Sequence, residues 1–275
     1  MHNLGFYPEL PDHRDYIIDE HQDTAQLFTP PPTLGTYIAP AAVLPSRVDL
    51  RRHCSPIEDQ GALGSCVAQA CVGVMEYVER RAMGRHIEAS RLFVYKTGRS
   101  LHGWTGDTGL YIRSGMKALK LFGAPPEEYW PHDIERFDEE PSPFAYAYAR
   151  HFCIERYYKL DRLGGSRAKL LDLCKRVIVY GLPIAFGFVV YSWGDDTGAF
   201  PMPQPGQKPY GGHAVVAVGY DDDVEIGESK GALRIRNSWG RGWGHDGYGW
   251  LPYDYVTKAL STDFWTIVTQ NYVRA

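Results

Sequence analysis

Four short groups occur in order along the 275-residue chain: Gln60, then Gly64-Ser65-Cys66, then Gly212-His213-Ala214, then Asn237-Ser238-Trp239-Gly240. Together they contain the parts for thiol-based acyl chemistry. A thiol attacks a carbonyl only as the thiolate, so it needs an imidazole to take its proton, a polar group to hold that imidazole, and donors for the oxyanion. In such a scheme Cys66 is the nucleophile, His213 the base, Asn237 its orienter and Gln60 an oxyanion donor.

These groups need elements to position them. From Cys66 onward, apolar residues recur at helical spacing through residue 83, so the thiol is expected to open a helix. A helix start lowers a thiol's pKa, and Gly64 and Ser65 leave the sulfur reachable. Helices are also predicted over 108–122, ending at Gly123 before Pro125-Pro126, and over 168–180. From Pro183 the pattern changes to apolar runs at 184–190, 214–220, 232–236 and 266–273, which read as buried strands. Helices first and antiparallel strands second is an α+β arrangement. It puts the nucleophile and the base on facing lobes with a cleft between them.

At this point the chain resembles the papain family of cysteine peptidases. The family signature C-G-[SA]-C-[WY] compares with Leu63-Gly64-Ser65-Cys66-Val67. His213 follows Cys66 by 147 residues, inside the family's window of about 130–150, while Asn237 follows by 171. The polar stretch 221–231 accounts for the excess and is expected to be an enlarged hairpin loop; its aspartates at 221–223 do not have the spacing of an EF-hand. Leu44 to Arg51 looks like the start of a mature papain-type domain, and Arg236 to Gly244 like the family's Asn loop, whose tryptophan shields the Asn–His bond.

The resemblance covers about residues 44–273. It implies a two-lobed papain-like fold, with a helical lobe over about 44–180 and a β lobe over about 181–275, acting on a peptide or protein substrate with no cofactor and no metal. It also implies substrate contacts from Ala214, Trp239 and Phe200, with Phe200 on the rim of an apolar pocket and Gly103 to Asp107 along the opposite wall. Leu63 and Val67 depart from the family pattern. No family disulfide can be transferred to this nucleophile loop, and the chain is expected to belong to a divergent, prokaryotic branch. Two alternatives share the same residues: acyl transfer to an amine, as in a peptide ligase, and a catalytically silent peptide-binding module.

Composition narrows the classes. A hydrophobic content of 44% can supply a sizeable core, and a net charge of −4 gives no basic footprint for nucleic acid. No apolar run is long enough for a membrane span, and the start Met1 to Pro8 lacks secretory features, so a cytoplasmic location is expected, with export by a signal-less route as the alternative. The five cysteines, an odd set without zinc-type spacing, are expected to be free. Oligomeric state is not encoded in any of these features. Residues 1–43 form an extension containing Pro30-Pro31-Pro32, either a surface strap or a short pro-segment. The absence of long amphipathic helices favours the strap.

Overall fold

The computed structural model describes residues 2–12, 14–17 and 43–270. The Pro-rich stretch of the N-terminal extension, residues 29–40, lies outside the described residues.

Helix α1 (Cys66–Met83) is the central element, with every residue from Cys66 to Glu79 buried, and Gly84 at φ 72° closes it. A helix apolar on all sides must sit inside the protein. Its buried Glu76 is therefore paired: the carboxylate accepts from the Ser55 hydroxyl at 2.5 Å, the Ala89 N–H at 2.9 Å and Arg91 at 2.9 Å. Around α1 pack α2 (Arg91–Ser100) and α3 (Ile112–Leu121). Helix α2 was not legible as a period but carries a local signal, Ser90, whose hydroxyl accepts from the Phe93 N–H at 3.1 Å. The helix expected from 108 starts at Ile112, because Gly109 takes φ 73° and Tyr111 is extended. A short α4 (Pro143–Ala149) follows.

The sheet has β1 (Arg47–Asp49), β2 (Ile154–Lys159), β3 (Ile184–Val190), β4 (Gly211–Ile226), β5 (Ser229–Arg236), β6 (Tyr248–Pro252) and β7 (Ser261–Gln270). The order is β2-β7-β3-β4-β5-β6, with β1 also on β4, and every pairing is antiparallel. The expected loop at 221–231 is a correction: β4 and β5 continue through it as a ribbon, pairing Glu225 with Lys230 and Ile226 with Ser229, and turn tightly at Gly227 (φ 61°). A two-stranded ribbon in water has no buried face, so it carries none of the apolar alternation that marks a strand.

Two strands, β1 and β2, come from the part of the chain assigned to helices, and α5 (Arg167–Val179) packs on β3, β4 and the short α6 (Tyr253–Thr257) rather than on the helical lobe. The lobes therefore interleave along the chain. One continuous core lies where α1 meets β3, β4 and β7. All five cysteines are free, and among the described residues no helix is long and apolar enough to cross a membrane.

Candidate active site

Cys66 is the first residue of α1, and His213 lies near the start of β4, paired across the sheet with Phe188. The link between them is the Ala214 N–H, which points at the Cys66 sulfur. Asn237 follows the end of β5, where its own N–H donates to the Gly247 carbonyl at 3.0 Å. Its Oδ1 accepts from the Ser238 N–H at 2.8 Å and lies 2.8 Å from His213 Nε2. An atom that already accepts an amide proton is an oxygen, so Nε2 must carry the imidazole proton and donate. Nδ1 is left as the basic nitrogen, and nothing among the described residues hydrogen-bonds to it. Trp239 stacks on the imidazole, centroids 4.5 Å apart at 26°, and closes the His–Asn bond from water.

Gln60 is held from both ends. Its Oε1 accepts from the Ser238 hydroxyl at 2.6 Å, and its Nε2 donates to the Leu63 carbonyl at 2.8 Å and to the Asn3 carbonyl at 2.9 Å. The nucleophile loop is tied by Asp107, whose two carboxylate oxygens accept from the Gly64 N–H at 3.0 and 3.1 Å and which also accepts from the Tyr95 hydroxyl at 2.5 Å. Ser238 and Asp107 have functions that spacing could not reveal. A hint existed in Leu63: a loop without its family half-cystine must be braced by something else.

The N-terminal segment lies in this cleft. The Gly5 N–H points at the Cys66 sulfur, and a Cβ on Gly5 would overlap the Gly64 carbonyl. The Phe6 N–H donates to the Gly212 carbonyl at 3.1 Å, and the Leu110 N–H to the Gly5 carbonyl at 2.8 Å. The Phe6 ring fills the space over Gly187, where any Cβ would overlap it, and is itself buried. His2 stacks on Trp239 at 5.7 Å. Farther along, Arg113 holds Glu9 at 2.6 Å and Asp15 at 2.7 Å, and the Lys159 N–H donates to the Tyr16 carbonyl at 2.9 Å.

The cover sets the protonation of the pair beneath it. Burial pushes the Cys66 thiol up to about 11, against hydrogen bonds from Ala214 and Gly5 that pull it down. Burial likewise pushes His213 down to about 4. Both groups are neutral near pH 7 while the arm is in place.

Of the residues expected to touch substrate, Ala214 lies at the Cys66 sulfur and Trp239 covers the imidazole. Phe200 is a correction. It is completely buried, edge-on to Phe188 at 5.0 Å and beneath Trp239 and Trp243, so it supports the tryptophan cover and lines no open rim. A large ring beside three other aromatics gains more from burial than a rim position offers. Among the described residues no group of three metal-binding side chains gathers.

Residues 145–261 match the family described as papain family cysteine protease. The chain is 33% identical to an uncharacterized peptidase C1-like protein of Acanthamoeba polyphaga mimivirus, covering 96% of this chain and 86% of that one. It superposes on the crystal structure of xylellain, a cysteine protease from Xylella fastidiosa, with a TM-score of 0.76 and 31% identity, covering 98% of this chain and 96% of that one. Papain of Carica papaya is 26% identical, over 74% of this chain but only 54% of papain's own length.

Proposed function

The chain belongs to the papain family of cysteine proteases, and on that premise we propose that it hydrolyses peptide bonds through Cys66, His213 and Asn237. The observation that carries this reading is the imidazole: Nε2 is committed to Asn237 Oδ1, leaving Nδ1 as the nitrogen free to act as the base. In the first half-reaction Nδ1 takes the thiol proton and the sulfur adds to the peptide carbonyl. The Gln60 amide and the Cys66 N–H hold the oxyanion. The imidazolium then gives its proton to the leaving amine as the C–N bond breaks, leaving a thioester. In the second half, water loses a proton to Nδ1, adds to the thioester and releases the acid and the thiol. Mass analysis of a peptide incubated with the protein and a competing amine tests this. Acids as the sole products support hydrolysis, whereas amides in proportion to the amine would make the protein an acyltransferase.

The N-terminal arm has a second part in this reading. We infer that residues 2–17 act as a pro-segment that keeps the enzyme latent, although the sequence pattern favours a strap. The supporting observation is the orientation of Gly5: it offers the sulfur an N–H, while its carbonyl is held by Leu110. A segment packed this closely on the loop before Cys66, over a sulfur that is completely buried, keeps a substrate carbonyl from reaching it.

A further inference from the structure

Asn3 makes two contacts at once. Its main-chain carbonyl accepts from Gln60 Nε2 at 2.9 Å, and its side-chain amide donates to Asp107 Oδ2 at 3.2 Å. In the reaction proposed above, the carbonyl held by Gln60 Nε2 is the one being attacked. Asn3 therefore stands where the acyl residue of a substrate stands, and Asp107 lies within reach of that residue's side chain. We propose that Asp107 is a selectivity residue for the substrate residue on the acyl side of the scissile bond, favouring side chains with N–H donors and above all the cations of lysine and arginine. This rests on the peptidase reading of the site.

Three further features support the assignment. Asp107 is exposed, so it is open to a substrate side chain once the arm leaves. Among the described residues no lysine, arginine or histidine forms an ion pair with it, and its hydrogen bonds come from the neutral donors of Gly64, Tyr95 and Asn3. Losing Asn3 frees a lone pair of Oδ2, and an ionised carboxylate prefers a charged donor to a neutral one. The other contacts fix its direction, since the Gly64 N–H and the Tyr95 hydroxyl hold the carboxylate against the wall. A partner that is already oriented loses little freedom on binding.

The test uses full-length protein carrying Gly5→Ala, with and without Asp107→Asn, and fluorogenic peptides differing only in the acyl residue: arginine, lysine, glutamine, norleucine and glutamate. We expect kcat/KM to fall in the order arginine and lysine, glutamine, norleucine, glutamate, with arginine ahead of norleucine by about tenfold, in the range of one charge-assisted hydrogen bond at an exposed site. Asp107→Asn should bring that ratio to within about threefold of unity. The ratio is internal to each variant, so a loss of folded protein or of overall turnover leaves it untouched. An arginine-to-norleucine ratio that is the same in both variants, or a parent preference for glutamate, overturns the proposal. Peptidyl chloromethylketones with arginine or norleucine report the same subsite through the rate of Cys66 alkylation, without turnover. If they discriminate and no peptide is cleaved, the peptidase reading fails and the subsite stands; if they do not discriminate, the subsite fails whatever the reaction.

Discussion

A single imidazole proton decides how the proposed catalytic residues would share their work. Because Asn237 Oδ1 takes two donors, the Ser238 N–H and His213 Nε2, the asparagine fixes the tautomer as well as the ring's orientation. Its loss permits the wrong tautomer without removing the base, so on an uncovered enzyme Asn237→Ala should lower kcat/KM less than His213→Ala, which should remove nearly all activity along with Cys66→Ala. Equal losses for Asn237→Ala and His213→Ala in steady-state assays would contradict that division. Gln60→Ala should lower turnover by about 10²–10³, the usual cost of one oxyanion donor. Ser238→Ala, which frees the Gln60 amide to rotate without deleting it, should have a smaller effect, and a Ser238→Ala loss as large as that of Gln60→Ala would show that the hydroxyl does more than orient. These roles divide by how they could be read. Cys66, His213 and Asn237 could be nominated from sequence because a thiol, an imidazole and an amide in that order have few other uses, and the structure brings His213 and Asn237 into contact. Phe200 was misplaced because composition near a loop does not distinguish a ring that faces a ligand from one that props up its neighbours. Asp107 was seen only as part of a wall, since nothing in one-dimensional spacing ties residue 107 to the Gly64 N–H.

At the scale of elements, the arm is held by shape in one stretch and by charge in the next. Only glycine fits at residue 5, where a Cβ would overlap the Gly64 carbonyl, and only glycine at 187 leaves room for the Phe6 ring. Beyond them Arg113 holds Glu9 and Asp15. Gly5→Ala should therefore lift the arm and raise the rate of Cys66 alkylation by iodoacetamide at pH 7 at least tenfold, with Cys54, Cys71, Cys153 and Cys174 unchanged. Phe6→Ala should act in the same direction, because truncating a buried ring costs about 3–5 kcal/mol of the packing that holds it. A strap predicts the opposite pair of results, a lower melting temperature and no gain in reactivity, so both are measured on the same preparation. The arm's place in the cleft was not legible because its hold comes from main-chain hydrogen bonds and from glycines across the groove, neither of which leaves a hydrophobic period. The central helix and the buried strands were legible for the complementary reason. They bury continuous apolar faces, whereas β1 and β2 at the sheet margin and the 221–231 ribbon do not.

For the molecule as a whole, the proposed latency makes covering of the cleft an equilibrium that protons are expected to shift. In the covered state His213 is pushed to about 4 from an ordinary 6.5, so it binds a proton more weakly than it would beside water. Acid then favours whichever state holds that proton better, and between about pH 6.5 and 4 this is the uncovered one. Cys66 gives a second limb: burial holds the covered thiol near 11, so it loses its proton less readily than a thiol open to water, and alkali also favours uncovering. His2, stacked on Trp239, depresses His213 further, after the larger effect of burial. Glu9 works against the acid limb. Burial raises its carboxyl despite Arg113, so the covered state holds the Glu9 proton more tightly, and Glu9→Gln should steepen the acid release. The arm should thus sit most firmly between the two limbs. Fluorine NMR of 4-fluorophenylalanine placed at residue 6 reads the packed and the water-exposed ring separately across pH 4–10, with no dependence on turnover. In the parent protein the exposed signal should grow at both ends of the range; Cys66→Ala should keep only the acid limb and His213→Ala only the alkaline one. A packed signal constant across the whole range would mean that the arm does not feel the protonation of the residues it covers, and latency would then have to be relieved by cutting the arm rather than by pH.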